Sequence, residues 1–207
     1  MYVPTINKMD DKAEVIDFIN RFSFATIVSA ADNLPIATHL PFLVSEQEGK
    51  VILSSHFAKA NDQWKTIEQN PVLVIFSEPH AYISPSNYEK KLNVPTWNYI
   101  AVHAYGKARL LNDPEQVMSL LESTINTYEK AYNHQWDELP MDYKASMVKG
   151  IVAFKIEVTH WHSKAKLSQN KTQTEQKNIV QTLSESPDSQ AKIIAEYMKS
   201  KPYSKNI

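Results

Sequence analysis

The stretch SSHFAKANDQW, Ser54 to Trp64, puts two hydroxyls and an imidazole at the end of an apolar run, with a lysine and an asparagine just beyond. Ser54, His56, Lys59 and Asn61 are residue types that hold an anion, and a helix start here would add free backbone N–H groups. The same residues also read as a polar loop with a helix cap, and spacing alone leaves both readings open. A second group brackets a short basic loop: YISPSNY and VPTWNY supply Tyr82, Ser84, Ser86, Tyr88, Thr96, Trp97, Asn98 and Tyr99. A flat heteroaromatic ligand needs an aromatic wall and a few convergent donors and acceptors. An aromatic subunit interface is built from the same residues, and the two readings coincide if a ligand sits where subunits meet. A third group, KAKLSQNK, carries Lys166, Ser168, Gln169 and Asn170, whose donors suit carbonyl oxygens or a phosphate. His160 and His162 are spaced as two metal ligands, with His39 or His103 available as a third, but nothing in the spacing brings these regions together. No H-E-x-x-H, no nucleophile elbow and no cysteine is present, so neither a metal centre nor triad catalysis is expected.

Composition narrows the classes. The chain has 207 residues, 43% hydrophobic and 22% charged, as in soluble globular proteins. A formal net charge of -1 gives no general attraction to nucleic acid, so direct DNA contact is not expected. Three glycines cannot build a Gly-rich phosphate loop. No segment approaches the roughly 20 apolar residues that span a bilayer, and no apolar leader opens the chain; a cytoplasmic protein without membrane partners is expected.

The elements that must position these groups follow from periodicity. Asp10 or Asp11 caps a helix through KAEVIDFINRF. FATIVSA, IATHLPFLVS and VILSS read as strands joined by the turns ADNLP and EQEGK. A short helix is expected in AKANDQWKTIEQN, then the strands VLVIFS and AYIS. From Asn98, every second residue of the next strand is small or apolar through Leu110, whereas Trp97, Tyr99, His103, Tyr105, Lys107 and Arg109 share the other face. Asp113 and Pro114 start a helix with an apolar stripe, MDYKASMVK forms another that stops at Gly150, and IVAFKIEVTHWH returns as a strand. TEQKNIVQTL and SPDSQAKIIAEYMKS are helical. About six strands joined mainly by short turns point to a mainly β, α+β protein, either a small barrel or an open sheet.

THLPF, SSHFAKANDQW, AYISPSNY, VPTWNYIAVHAYG and KLSQNK, in this order, resemble the PaiB family of FMN-binding negative transcriptional regulators, over Met1 to about Leu183. The resemblance implies an FMN-binding split β-barrel related to pyridoxine-phosphate oxidase, at residues 1–183, with a helical insertion at about 113–150 and a C-terminal helix and tail at 184–207. It implies a homodimer with the flavin between subunits. Ser54, His56, Lys59 and Asn61 would lie at the phosphate end. Thr38, His39, Thr96, Trp97 and Asn98 would lie near the ring or the dimer seam, and Lys166, Ser168, Gln169 and Asn170 would close over the flavin from one subunit or its partner. Five positions depart from the family pattern: Phe57 replaces a leucine, Asp62 a proline, Lys59 and Lys171 arginines, and Asn87 a tryptophan. Lysine keeps the charge of arginine but loses its bidentate fork. The function implied is a transcriptional or metabolic regulator. The alternatives are an FMN-dependent oxidoreductase with a small-molecule substrate, and a binder of haem or another planar ligand, to which only His160 and His162 lend weight.

Overall fold

The computed structural model describes residues 1–200, which divide into two units. One comprises Phe18–Phe76 and His103–Trp161. Its strands are β1 (Phe24–Ala31), β2 (Leu34–Pro41), β3 (Leu43–Gln47), β4 (Lys50–Ala58), β5 (Val72–Phe76) and most of β8 (Ile151–Lys166), with the second half of β7 (Thr96–Leu110). The order is β2-β1-β5-β7-β8-β4-β3. β1 pairs antiparallel with β2 and β5, and β4 with β3 and β8. Both expected hairpin turns form: Asp32 and Asn33 take φ of 51° and 63°, and Glu48 and Gly49 take 51° and 78°. Positive φ at both central residues matches the right-handed twist of the flanking strands.

The expected single strand IATHLPFLVS is broken at Phe42 into β2 and β3. Pro41 has no N–H to give a ladder, and Phe42 turns inward, 1% exposed, its N–H donating to Ser23 O at 2.8 Å. There its ring meets Phe76 and Phe154 edge-on at 6.0 and 6.2 Å, while Phe57 stacks on Phe154 at 4.8 Å. These rings, with Ile27, Leu53, Val74 and Ile156, form the core. On β7 the alternation holds: Asn98, Ile100, Val102, Ala104, Gly106 and Ala108 are buried, while Trp97, Lys107 and Arg109 are exposed. A Cβ on Gly106 would fall 2.5 Å from Ile156 Cγ2 and against the Glu157 carbonyl, so only glycine lets β8 come this close.

In the same unit α2 (Pro114–Tyr128) starts as expected, with Asp113 Oδ1 accepting the Glu115 N–H at 3.0 Å. Its Val117 and Leu120 pack on Ala153, with Leu43, Leu111, Val148 and Ile151 around them. α4 (Met141–Lys149) ends at Gly150. An additional helix, α3 (Asn133–Glu138), buries Trp136, over which Lys144 lies at 5.0 Å; six residues are too short for a periodic stripe to announce them.

The other unit comprises Met1–Asp17, Ser77–Val102 and the chain from His162 onward. It holds the start of α1 (Lys12–Arg21), capped by Asp11 Oδ1 on the Ala13 N–H at 2.7 Å. β6 (His80–Ile83) pairs antiparallel with the first residues of β7. α5 (Gln173–Ser184) opens with a complete Thr172/Glu175 capping box. Ile179, Val180 and Leu183 of α5 and Ala191, Ile194, Ala195 and Met198 of α6 (Ser189–Ser200) are buried. Residues 201–207 of the expected C-terminal tail lie outside the described residues. No helix among the described residues is long and apolar enough to cross a membrane.

Candidate functional site

Within the first unit, two of the sequence motifs converge. Thr38 of β2 and Asn61, which follows β4, meet through Asn61 Nδ2, which donates to Thr38 Oγ1 at 2.9 Å. The Thr38 hydroxyl donates in turn to Gln63 Oε1 at 2.6 Å, and the Gln63 N–H donates to Asn61 Oδ1 at 3.0 Å. Gln63 is only 2% exposed; its Nε2 donates to Ser29 Oγ at 3.0 Å and Ile36 O at 3.1 Å. A buried amide must find such partners, and here they clamp the exit of β4 onto the β1–β2 hairpin. The expected helix after β4 is only a 3-10 turn, Asp62–Lys65. The Asn61 side chain serves its first turn, so free N–H groups at a helix start are fewer than the sequence promised.

Around this network, His39 Nδ1 lies 3.3 Å from Thr26 Oγ1, and its ring stands edge-on to Phe24 at 6.3 Å. β4 runs to Ala58, three residues beyond the strand expected, so His56 sits within it, half-buried. Burial holds its imidazole below the ordinary 6.5. Lys59 is exposed, its Nζ 5.5 Å from the centre of the Trp64 ring, and it has no carboxylate partner among the described residues. Trp64 Nε1 donates to Lys59 O at 3.1 Å, which fixes the backbone there. Ser54 is not brought to the network. It is 7% exposed and lines a cavity beneath α2.

Within the second unit the other two motifs meet. β8 continues to Lys166, past its expected end at His162. The Lys166 ammonium donates to Thr96 Oγ1, and Ser168 Oγ donates to the fully buried Asn98 Oδ1 at 3.0 Å. Ser168 takes φ of 60°, and Gln169 closes the turn by accepting the Leu167 N–H at 2.7 Å. Asn170 is exposed. Lys164 lies over the Tyr99 ring at 5.1 Å, and neither Lys164 nor Lys166 has a carboxylate partner among the described residues. Burial, and secondarily the Lys164 charge, lowers the Lys166 ammonium below its ordinary value, against an opposing effect of Tyr99. Trp97 is 51% exposed, flanked by Tyr82 and His80 at 6.0 and 5.5 Å.

Two of the departures from the family pattern, Asn87 and Lys171, lie in this unit. Asn87 is buried, its Oδ1 accepting from Thr182 at 2.7 Å and its Nδ2 donating to Ser84 O at 3.1 Å. Lys171 donates to Asn93 Oδ1 at 2.9 Å, with its Nζ 3.6 Å from the Tyr88 ring centre.

In the first unit, Lys59, without an acidic partner among the described residues, and the Asn61 amide are donors that suit an anionic group. In the second, Lys164 and Lys166, also without acidic partners among those residues, and the exposed Trp97 suit a flat ligand. The histidines do not gather into a ligand set. His160 stacks on Tyr105 at 4.6 Å, His162 Nδ1 lies 2.8 Å from the N-terminal amine of Met1, and no group of three potential ligands occurs among the described residues. Gln63 is the residue that sequence reasoning missed, because a glutamine in a polar stretch carries no signal of burial.

Comparison with known proteins gives concordant findings. The family described as "Putative FMN-binding domain" matches residues 1–160. "Protease synthase and sporulation protein PAI 2" of Bacillus subtilis is 40% identical over 204 residues, covering 97% of this chain and 98% of that protein. Among solved structures, the flavocytochrome Anf3 from Azotobacter vinelandii is 17% identical with a TM-score of 0.60, covering 76% of this chain and 68% of that one. The FAD and heme binding protein from Mycobacterium smegmatis is 12% identical with a TM-score of 0.61, covering 77% and 73%. The fold class is the α+β split barrel of flavin-binding proteins.

Proposed function

Because the chain belongs to the FMN-binding domain family, with FMN as its cofactor, we propose that it is a homodimeric flavin-binding regulator. The FMN phosphate is held by Lys59, with His56 and Asn61 beside it, and Thr38 and His39 border the ring. Thr96, Trp97, Lys166, Gln169 and Asn170 form the second contact surface, at the seam with the partner subunit, and the buried Ser168–Asn98 bond braces it from within. One observation carries this reading. The 2.9 Å Asn61–Thr38 hydrogen bond joins residues 23 apart in sequence, so that THLPF and KANDQW form one patch next to a cation with no acidic partner. The Lys166–Thr96 and Ser168–Asn98 bonds join VPTWNY and KLSQNK in the same manner. Support for a dimer comes from the exposed Tyr82, Trp97, Leu92 and Val94, which a single copy leaves in water.

Bound FMN would supply reversible electron chemistry. The chain's own residues bind the phosphate, orient the ring and exclude water from it. The purified protein is expected to show the visible absorbance of oxidised flavin and to sediment as a dimer. Colourless protein that takes up no added FMN refutes the cofactor assignment, and Lys59→Ala binding FMN as tightly as the parent refutes the phosphate assignment. Anaerobic mixing with NADH or NADPH separates regulator from oxidoreductase. A regulator bleaches slowly or not at all, whereas rapid bleaching with turnover establishes the enzyme. The relative from Bacillus subtilis is named a sporulation protein, and likeness to it supports the regulatory reading. With a net charge of -1, any regulation is proposed to act through a ligand or protein partner rather than direct DNA contact.

A further inference from the structure

We propose that the cavity beneath α2 is a second ligand site, one that takes a small zwitterion of the free amino acid class. The cavity has a volume of about 620 Å³, within the range of small-molecule sites, and lies between α2 and the strands β3, β4 and β8. It shares no lining residue with the Thr38–Asn61–Gln63 network.

The floor of the cavity carries an anion subsite. Ser54 and Lys155 are directly paired across β4 and β8, so their side chains stand side by side on one face. Ser54 is 7% exposed, and no hydrogen bond to its hydroxyl exists among the described residues. The residue is buried but its hydroxyl oxygen opens onto the cavity, where it is available to a ligand. Lys155 has no acidic partner either: the nearby carboxylate on β8, Glu157, is taken by Lys50 at 3.0 Å. A carboxylate group would meet an ammonium and a hydroxyl here, the pairing that gives the stronger, charge-assisted hydrogen bonds.

The opposite wall is of the other sign. Asp113 and Glu115, at the start of α2, line the cavity, and neither has an ion-pair partner among the described residues. Along α2, Ser123 and Thr127 spend their hydroxyl protons on the carbonyls of Ser119 and Ser123, both at 2.8 Å, so their oxygens are left as acceptors. The cavity thus offers donors at Ser54 and Lys155 and acceptors along α2. Such polarity rejects a plain polyanion, because carboxylates at the α2 end would repel it, and it matches a molecule with a carboxylate at one end and an ammonium at the other. Leu43, Val44 and Leu120 supply apolar wall for a side chain between them.

The test is a calorimetric and thermal-shift screen of the full chain against the free L-amino acids, with acetate and ethylamine as the two half-ligands. At least one amino acid is expected to bind, both half-ligands to bind at least tenfold more weakly, and its methyl ester, which lacks the anion, to fail to compete. Lys155→Met is expected to weaken that binding by roughly tenfold or more, and Lys155→Arg by much less. Ser119→Trp, at an exposed helix position on the cavity wall, fills the space from the α2 side and is expected to abolish binding with the unfolding midpoint retained. The proposal is overturned if no amino acid binds, if the ester binds as well as the free acid, or if folded Lys155→Met and Ser119→Trp proteins bind like the parent. Flavin absorbance retained in the Lys155 variants keeps this result separate from the cofactor assignment.

Discussion

Replacing Gln63 tests whether the network that joins Thr38 to Asn61 holds this region together. Three of its side-chain bonds, at 2.6, 3.0 and 3.1 Å, are of normal length, and the residue is 2% exposed. At about 1 kcal/mol net per bond, Gln63→Ala loses roughly 3 kcal/mol. The removed methylene adds about 0.8 kcal/mol of lost burial. The expected total, about 4 kcal/mol, corresponds to a fall of roughly 8–16 °C in Tm for a chain of this size. Urea unfolding followed by circular dichroism measures it, and FMN titration should show weaker binding in the same variant because Thr38 and Asn61 lose their common partner. Gln63→Glu preserves size but turns the amide donor toward the Ile36 carbonyl into an acceptor. Its ionised form is disfavoured in the folded state, so its folded-state pKa is raised. The deficit of this variant should be largest at neutral pH and shrink as pH falls toward the ordinary carboxylate range, about 4. A Gln63→Ala protein within about 1 kcal/mol of the parent would refute the reasoning, since surface-like substitutions fall within that range.

Other expectations are equally direct. Gly106→Ala should destabilise by about 1–3 kcal/mol, measured by chemical denaturation, because its Cβ must displace Ile156 and the Glu157 carbonyl. His56 titrates below 6.5 in the folded state, so the unfolded chain takes up its proton first as pH falls. Its contribution is fully present above pH 6.5 and is lost as pH falls through the lowered folded value; NMR titration should place the midpoint below 6.5, and His56→Gln should flatten that part of the stability profile. Lys166, lowered by burial, is costly to keep charged, so Lys166→Met should hold or slightly raise stability at neutral pH while weakening FMN binding. Thr172→Ala, which removes one half of a capping box, should cost about 0.5–2 kcal/mol in unfolding measurements.

What the sequence disclosed follows from which signals are local. The faces of β7, the Asp113–Pro114 start of α2, the stop at Gly150 and the two hairpin turns depend on neighbouring residues, and each stands where periodicity or turn chemistry put it. Phe42 broke the expected strand because a tertiary cluster of rings claimed it, and no window around THLPFLV contains Phe76 or Phe154. The pairing of the motifs was legible only as their presence in one chain: that Asn61 reaches Thr38, and Lys166 reaches Thr96, depends on strand register. Ser54 was legible as a polar strand residue, but the cavity it faces is made by α2, about 60 residues away in sequence.

The attachment at Asn87 has a thermal consequence. A tryptophan at this position would fasten α5 largely through apolar burial, whose strength fades on cooling because it rests on water released from apolar surface. Asn87 fastens the start of the Pro85–Asn87 turn and Thr182 of α5 by hydrogen bonds instead. That increment of the grip on α5 carries little heat-capacity change, so it should persist at low temperature where a purely apolar contact weakens.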